Sequence, residues 1–167
     1  MKLKQMTTNA VLTAIALTIF MIEAQIPSLV PIPGVKLGLA NIITVFALFA
    51  FTPRDAFMIM FVRVFLGSVF SGQISTLLYS FGGGLMCFAA LLCMKRVISL
   101  KQLWVASVVG AVFHNIGQIL VAVIVTGTPE IVVYLPVLMV SGFIAGCFTG
   151  FCAQFVYDKM KRFHYFD

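Results

Sequence analysis

Runs of apolar residues, broken by short clusters of charge, proline and glycine, divide this chain into six segments. They cover about Met6–Ile26, Leu37–Phe51, Ala56–Phe70, Ile74–Met94, Leu103–Val125 and Ile131–Val156. The breaks have physical causes. Pro27–Lys36, with the sequence PSLVPIPGVK, holds three prolines and Gly34 and cannot be regular helix. Thr52-Pro53-Arg54-Asp55, Ser71-Gly72-Gln73, Lys95-Arg96 and Gly127-Thr128-Pro129-Glu130 close the next four segments. A spanning helix needs roughly 20 apolar residues, so six of them would fill most of the chain. The second and third segments are short for a span, which predicts little tilt or extension into the loops. The pattern therefore predicts an all-α membrane protein, residues 1–167 forming one domain of six transmembrane helices.

Composition agrees: of 167 residues 62% are hydrophobic and 10% charged, with a mean hydropathy of +1.12. A soluble domain is about a quarter charged, so a collagen-like or disordered chain, or an attached soluble domain, is excluded. The pI of about 9.4 would fit nucleic acid, but the placement of charge indicates a lipid bilayer instead. Lys2, Lys4, Arg54, Lys95, Arg96, Lys101, Lys159, Lys161 and Arg162 fall on one side of the predicted topology. Lys36 falls on the other, and Arg63 lies within the third segment. Such asymmetry predicts a multi-pass protein of the cell membrane with both termini in the cytoplasm. Lys2 and Lys4 before an apolar run imitate a signal peptide, but five further segments follow without a convincing cleavage site, so this segment reads as a retained helix. Cys87, Cys93, Cys147 and Cys152 lie in apolar stretches without C-x-x-C spacing and read as packing residues, not metal ligands.

Ionisable groups within a membrane default to functional candidates. Glu23, Arg63 and His114 are such groups, joined by Asn41, Gln73, Ser80, Asn115 and Gln118. All fall in the middle or outer half of the predicted bilayer, which predicts a polar cavity opening outward rather than a path for protons across it. Ala106, Gly110, His114 and Gln118 recur every four residues on one helix face, as do Arg63, Gly67 and Ser71. A purely structural reading stands beside this one: Glu23 and Arg63 pair to tie two helices, and His114 and Gln118 make interhelical hydrogen bonds. Ala10 and Ala14 lie half a turn from Glu23, so one face can dock a partner while the other faces the interior. Gly142, Gly146 and Gly150 predict close helix packing, internal or between subunits. Gly82-Gly83-Gly84 predicts a helix break or a meeting of ligand and backbone. Pro27–Lys36 reads as a lid over the cavity or as an ordinary connection.

Five strings bear a family resemblance. They are Pro33-Gly34-Val35-Lys36-Leu37-Gly38-Leu39-Ala40-Asn41, Arg63-x-x-Leu66-Gly67 ending in Ser71-Gly72, Ser80-x-Gly82-Gly83, Gly110-Ala111-x-x-His114-Asn115-x-Gly117-Gln118, and Tyr134-Leu135-Pro136. Together they resemble the Gx transporter family, also labelled heptaprenyl diphosphate synthase component I. That family is similar to the S components of energy-coupling factor (ECF) transporters. The resemblance implies an S-component-like bundle that captures a vitamin-like solute outside the cell. It also implies a coupling subunit docked on Ala10 and Ala14, driven by two ATPases, and a Pro27–Lys36 loop that closes over the ligand.

The synthase label makes a chemical demand that the sequence fails. Prenyl elongation holds diphosphate through magnesium on aspartate-rich motifs. The chain has only Asp55, Asp158 and Asp167, no D-D-x-x-D string and no Walker A string. The expectation is a non-enzymatic, cofactor-free subunit for uptake of a small organic solute. Arg63 and Lys36 would attract an acidic group, while His114, Asn115 and Gln118 would hydrogen-bond it. Asn41 and Ser80 would complete the polar lining, and Glu23 would balance Arg63 or accept from the ligand. The alternatives are a membrane anchor or scaffold for an isoprenoid, quinone or electron-transfer system, and a secondary carrier, against which the lack of an inverted repeat counts.

Overall fold

The computed structural model describes residues 3–26, 38–72 and 74–162. Six α-helices account for most of them: α1 Leu3–Glu23, α2 Asn41–Ala50, α3 Pro53–Ser71, α4 Ile74–Val97, α5 Leu103–Thr126 and α6 Leu135–Arg162. Short 3-10 turns at Leu100–Gln102 and Pro129–Tyr134 lead into α5 and α6. Among the described residues there is no strand. Lys36, Gln73 and the proposed lid, Pro27–Lys36, lie outside the described residues.

The protein is a multi-pass membrane protein of six helices, and these are not clearly six spans. Among the described residues, four helical stretches are long and apolar enough to cross a membrane: Leu3–Glu23, Leu77–Val97, Leu100–Thr126 and Pro129–Arg162. The helix α2 has 10 residues, a rise of about 15 Å, which is half of a hydrocarbon core about 30 Å thick. At 19 residues α3 is long enough, yet it carries Arg54, Asp55 and Arg63. The shortening of α2 has a local cause. Gly38 adopts φ +81°, and a turn closed by Asn41 N–H on the Gly38 carbonyl at 2.9 Å precedes the helix, which begins at Asn41 rather than Leu37. In contrast α3 begins earlier than the apolar run. Pro53 stands in its first turn, and the Thr52 hydroxyl accepts from Asp55 N–H at 3.3 Å, a proline-led capped start.

Polar side chains at one end of the bundle establish the direction of each helix. Gln5 Nε2 and Asn9 Nδ2 of α1 both donate to the Asp55 carboxylate at 2.7 Å, so the start of α1 meets the start of α3. Lys95 Nζ, at the end of α4, donates to the carbonyl of Leu48 near the end of α2 at 2.5 Å. Gln154 of α6 accepts from Leu103 N–H at the start of α5 at 3.0 Å. A core of Phe46, Leu48, Ile59, Leu91, Leu103 and Tyr157 joins α2 through α6 at this same end. The helices thus run alternately up and down, and Lys4, Arg54, Lys95, Arg96, Lys101 and the basic tail of α6 gather at what is here called the basic end.

Small residues bring α4, α5 and α6 together. A Cβ on Gly117 would lie 2.7 Å from the Gly82 carbonyl oxygen, and one on Gly146 would lie 2.7 Å from Val108 Cα. The glycine triplet therefore does not break α4, which is continuous from Ile74 to Val97. It lets α5 approach, and the contact offsets the intrinsic helix cost of glycine. The triplet Gly142, Gly146 and Gly150 packs internally, against α5.

Candidate functional site

The polar groups converge away from the basic end, by routes the sequence explains. On α3 the helical repeat places Ile59, Met60, Arg63, Val64 and Gly67 on the buried face. Gly67 lies under the ring of Phe20, whose Cε1 would be 2.6 Å from a Cβ at that position. Glu23, the last residue of α1, stands one turn beyond this contact, and Arg63 stands one turn before it on α3. Their opposite charges interact. Asn41 opens α2 beside them, and His114 sits midway along α5. All four are nearly inaccessible: Glu23 is 4%, Asn41 6%, Arg63 2% and His114 3% exposed.

Backbone takes part as much as side chains do. Gly38 N–H donates to Glu23 Oε1 at 2.5 Å, giving the carboxylate a partner on the turn ahead of α2. Arg63 Nη2 donates to Asn41 Oδ1 at 3.2 Å. The imidazole of His114 lies between two glycines. A Cβ on Gly38 would come 3.0 Å from its Cδ2, and a Cβ on Gly83 would come 2.9 Å from its Cε1. Irregular backbone at membrane depth is tolerated where protein buries it and satisfies its polar groups, and the Glu23–Gly38 bond does this.

Three polar atoms here are buried without a hydrogen-bond partner among the described residues: Arg63 Nε, Asn41 Nδ2 and His114 Nδ1. Two are donors and the third can act either way. Such a group costs about 1–3 kcal/mol when left unmet. Thr44, 1% exposed with its Oγ1 also unmet, lies one turn along α2 from Asn41. Sequence reasoning missed Thr44, Gly38 and Gly83 as members of the group. A threonine in an apolar run carries no distinguishing signal, whereas Gly38 and Gly83 stood within the family strings.

Not every expected residue joins. Gln118 is fully buried one turn from His114, with its Cγ 2.8 Å from where a Gly83 Cβ would be. Ser80 is buried one turn before Gly83 and Gly84 on α4. Asn115 instead turns to α6, where its Nδ2 donates to the Leu138 carbonyl at 2.5 Å, and its placement is that of a tie between helices. Ala10 and Ala14 are exposed while Glu23 is buried, the opposed faces expected of α1.

The model of the heptaprenyl diphosphate synthase component I family matches residues 12–156. The chain belongs to this family. It is also called the Gx transporter family, and the matched span contains every residue of the convergent group. Neither the curated proteins nor the solved structures contain a match. Within this member of the synthase component I family, the described aspartates stand away from the group. Asp55 gives its oxygens to Gln5, Asn9 and Thr52, and Asp158 accepts from Gln154.

Proposed function

We propose that this family member is a solute-binding membrane subunit of the S-component kind, taking a small organic solute that bears a carboxylate or carbonyl group. One observation carries the reading: Arg63 Nε, Asn41 Nδ2 and His114 Nδ1 are each buried and unmet among the described residues, on side chains that meet around Gly38 and the Arg63–Asn41 bond. A ligand oxygen supplies the missing acceptor, and in a site closed to water such a charge-assisted bond is strong. Glu23 keeps the site near electroneutral, so a ligand with one acidic group and one donor fits better than a polyanion. Lys36 would add charge at the rim, with Pro27–Lys36 as the lid. The basic end faces the cytoplasm by the asymmetry of lysine and arginine, which directs the polar group outward. The exposed Ala10–Ala14 face is where a coupling subunit with its two ATPases would dock, and the energy for uptake would come from them.

Native mass spectrometry of protein extracted gently from its own membrane tests this. A retained small molecule is expected, lost from Arg63→Ala and from His114→Ala while both variants still insert. Equal retention by both variants sinks the assignment. A second reading rests on the family description, which names a synthase component: an accessory anchor beside a prenyl synthase or redox system. It predicts an empty chain that co-purifies with a soluble enzyme bound at the basic end.

A further inference from the structure

The flank between α4 and α5 holds a feature that solute binding does not use. A groove of about 370 Å³ is lined there by Met86, Ala89, Cys93 and Met94 of α4 and by Val109 and Phe113 of α5. The α4 residues lie beyond the glycine triplet, toward the basic end. Ala89 and Cys93 leave the depression between larger neighbours, and every lining residue is apolar, so a chain of hydrocarbon fits it. Its size is that of a small-molecule site.

Charge at one end of the groove defines the rest of the occupant. Met86, Ala89, Cys93 and Arg96 follow one another at spacings of three and four, which is one face of α4. The apolar stripe therefore runs into a guanidinium. Arg96 and Lys101 are both exposed, the latter in the connection to α5. Their neighbour Lys95 is engaged with the Leu48 carbonyl, whereas Arg96 continues the groove's face of α4 and Lys101 follows in the connection to α5. A guanidinium binds phosphate by two parallel hydrogen bonds, and a lysine adds a point charge.

We propose that the α4–α5 groove binds one anionic phospholipid, its acyl chain along Ala89 and Cys93 and its phosphate between Arg96 and Lys101. The inference stands apart from the solute reading. A zwitterionic lipid would place a compensating cation near the same two groups, so the site distinguishes lipids by headgroup.

The experiment uses the full-length protein in detergent, titrated with phosphatidylglycerol or phosphatidylcholine of identical acyl chains, with bound lipid counted by native mass spectrometry. Wild type is expected to retain one phosphatidylglycerol in preference to phosphatidylcholine. The double variant Arg96→Gln, Lys101→Gln should lose that preference by roughly twenty-five-fold, since each basic residue near an anionic surface contributes about a factor of five. Ala89→Phe should reduce retention of both lipids by filling the groove. Equal retention of the two lipids by wild type, or an unchanged preference in the double variant, overturns the proposal. So does retention that Ala89→Phe leaves at the wild-type level, or a polypeptide captured by a crosslinker on Cys93 in native membranes.

Discussion

Gly38 joins the backbone to the polar group more directly than any other residue. Its φ of +81° is one that residues with a Cβ rarely adopt, and its N–H is held by Glu23. An added methyl would come within 2.9 Å of Asn41 Nδ2 and 3.0 Å of the His114 ring. Gly38→Ala therefore meets two penalties, the left-handed backbone at about 1–2 kcal/mol and displacement of two site residues. The expected result is a modestly lowered unfolding midpoint together with loss of the retained solute. Retention at the wild-type level in a destabilised Gly38→Ala protein would show that the turn only shapes α2. Arg63, Glu23 and His114 were legible in the sequence because charged and imidazole groups stand out in apolar runs. Thr44 was not, since only the fold shows that its hydroxyl is unmet.

Between elements, two kinds of join hold the bundle, and they differ in how far the sequence announces them. Small-residue seams bind α5 to α4 and α6. The spacing of Gly142, Gly146 and Gly150 made the second readable, although only the fold shows that the partner is α5. The join of α1 to α3 at the basic end was not readable. It depends on Asp55, a charged residue in what looked like a connecting loop, meeting Gln5 and Asn9 about fifty positions away. The start of α2 was hidden for another reason: Leu37, Leu39 and Ala40 are apolar in helix and turn alike, so hydropathy cannot locate a break among them. Burial raises the Asp55 pKa, but hydrogen bonds from Thr52, Asn9 and Gln5 outweigh it and hold the carboxyl below its usual value. The ionised form is thus the one that stabilises. Its contribution is complete above about pH 4, the ordinary aspartate value, and fades as pH falls through the lowered one. Asp55→Asn should cost on the order of 1–3 kcal/mol at neutral pH, read as a lower unfolding midpoint in detergent. The gap between variant and wild type should close in acid. A gap that stays constant down to pH 2 would mean that the carboxylate charge contributes nothing to the join.

At the scale of the whole molecule, four long apolar helices and one short one leave the number of crossings open, yet the sidedness does not depend on that number. The end of α2 and the start of α3 return to the basic end through Leu48, Lys95 and Asp55. Whether α2 and α3 cross the bilayer fully or only enter half of it, they form a hairpin that leaves the side of everything after it unchanged. The start of α1, the connection from α4 to α5 and the end of α6 therefore share one side, while the ends of α3 and α5 share the other. Our proposal that the first side is the cytoplasmic one rests on its basic residues. Single cysteines in a background lacking Cys87, Cys93, Cys147 and Cys152 test the arrangement with a membrane-impermeant thiol reagent. In intact cells Thr128→Cys and Ser71→Cys should react, while Lys101→Cys and Arg54→Cys should react only after the membrane is opened. Reaction of Arg54→Cys from outside, with Lys101→Cys still protected, would mean that the α2–α3 hairpin does not return to the basic end. The convergence of Glu23, Asn41, Arg63 and His114 would then fail with it, because Asn41 reaches Arg63 only if α2 and α3 run back to back.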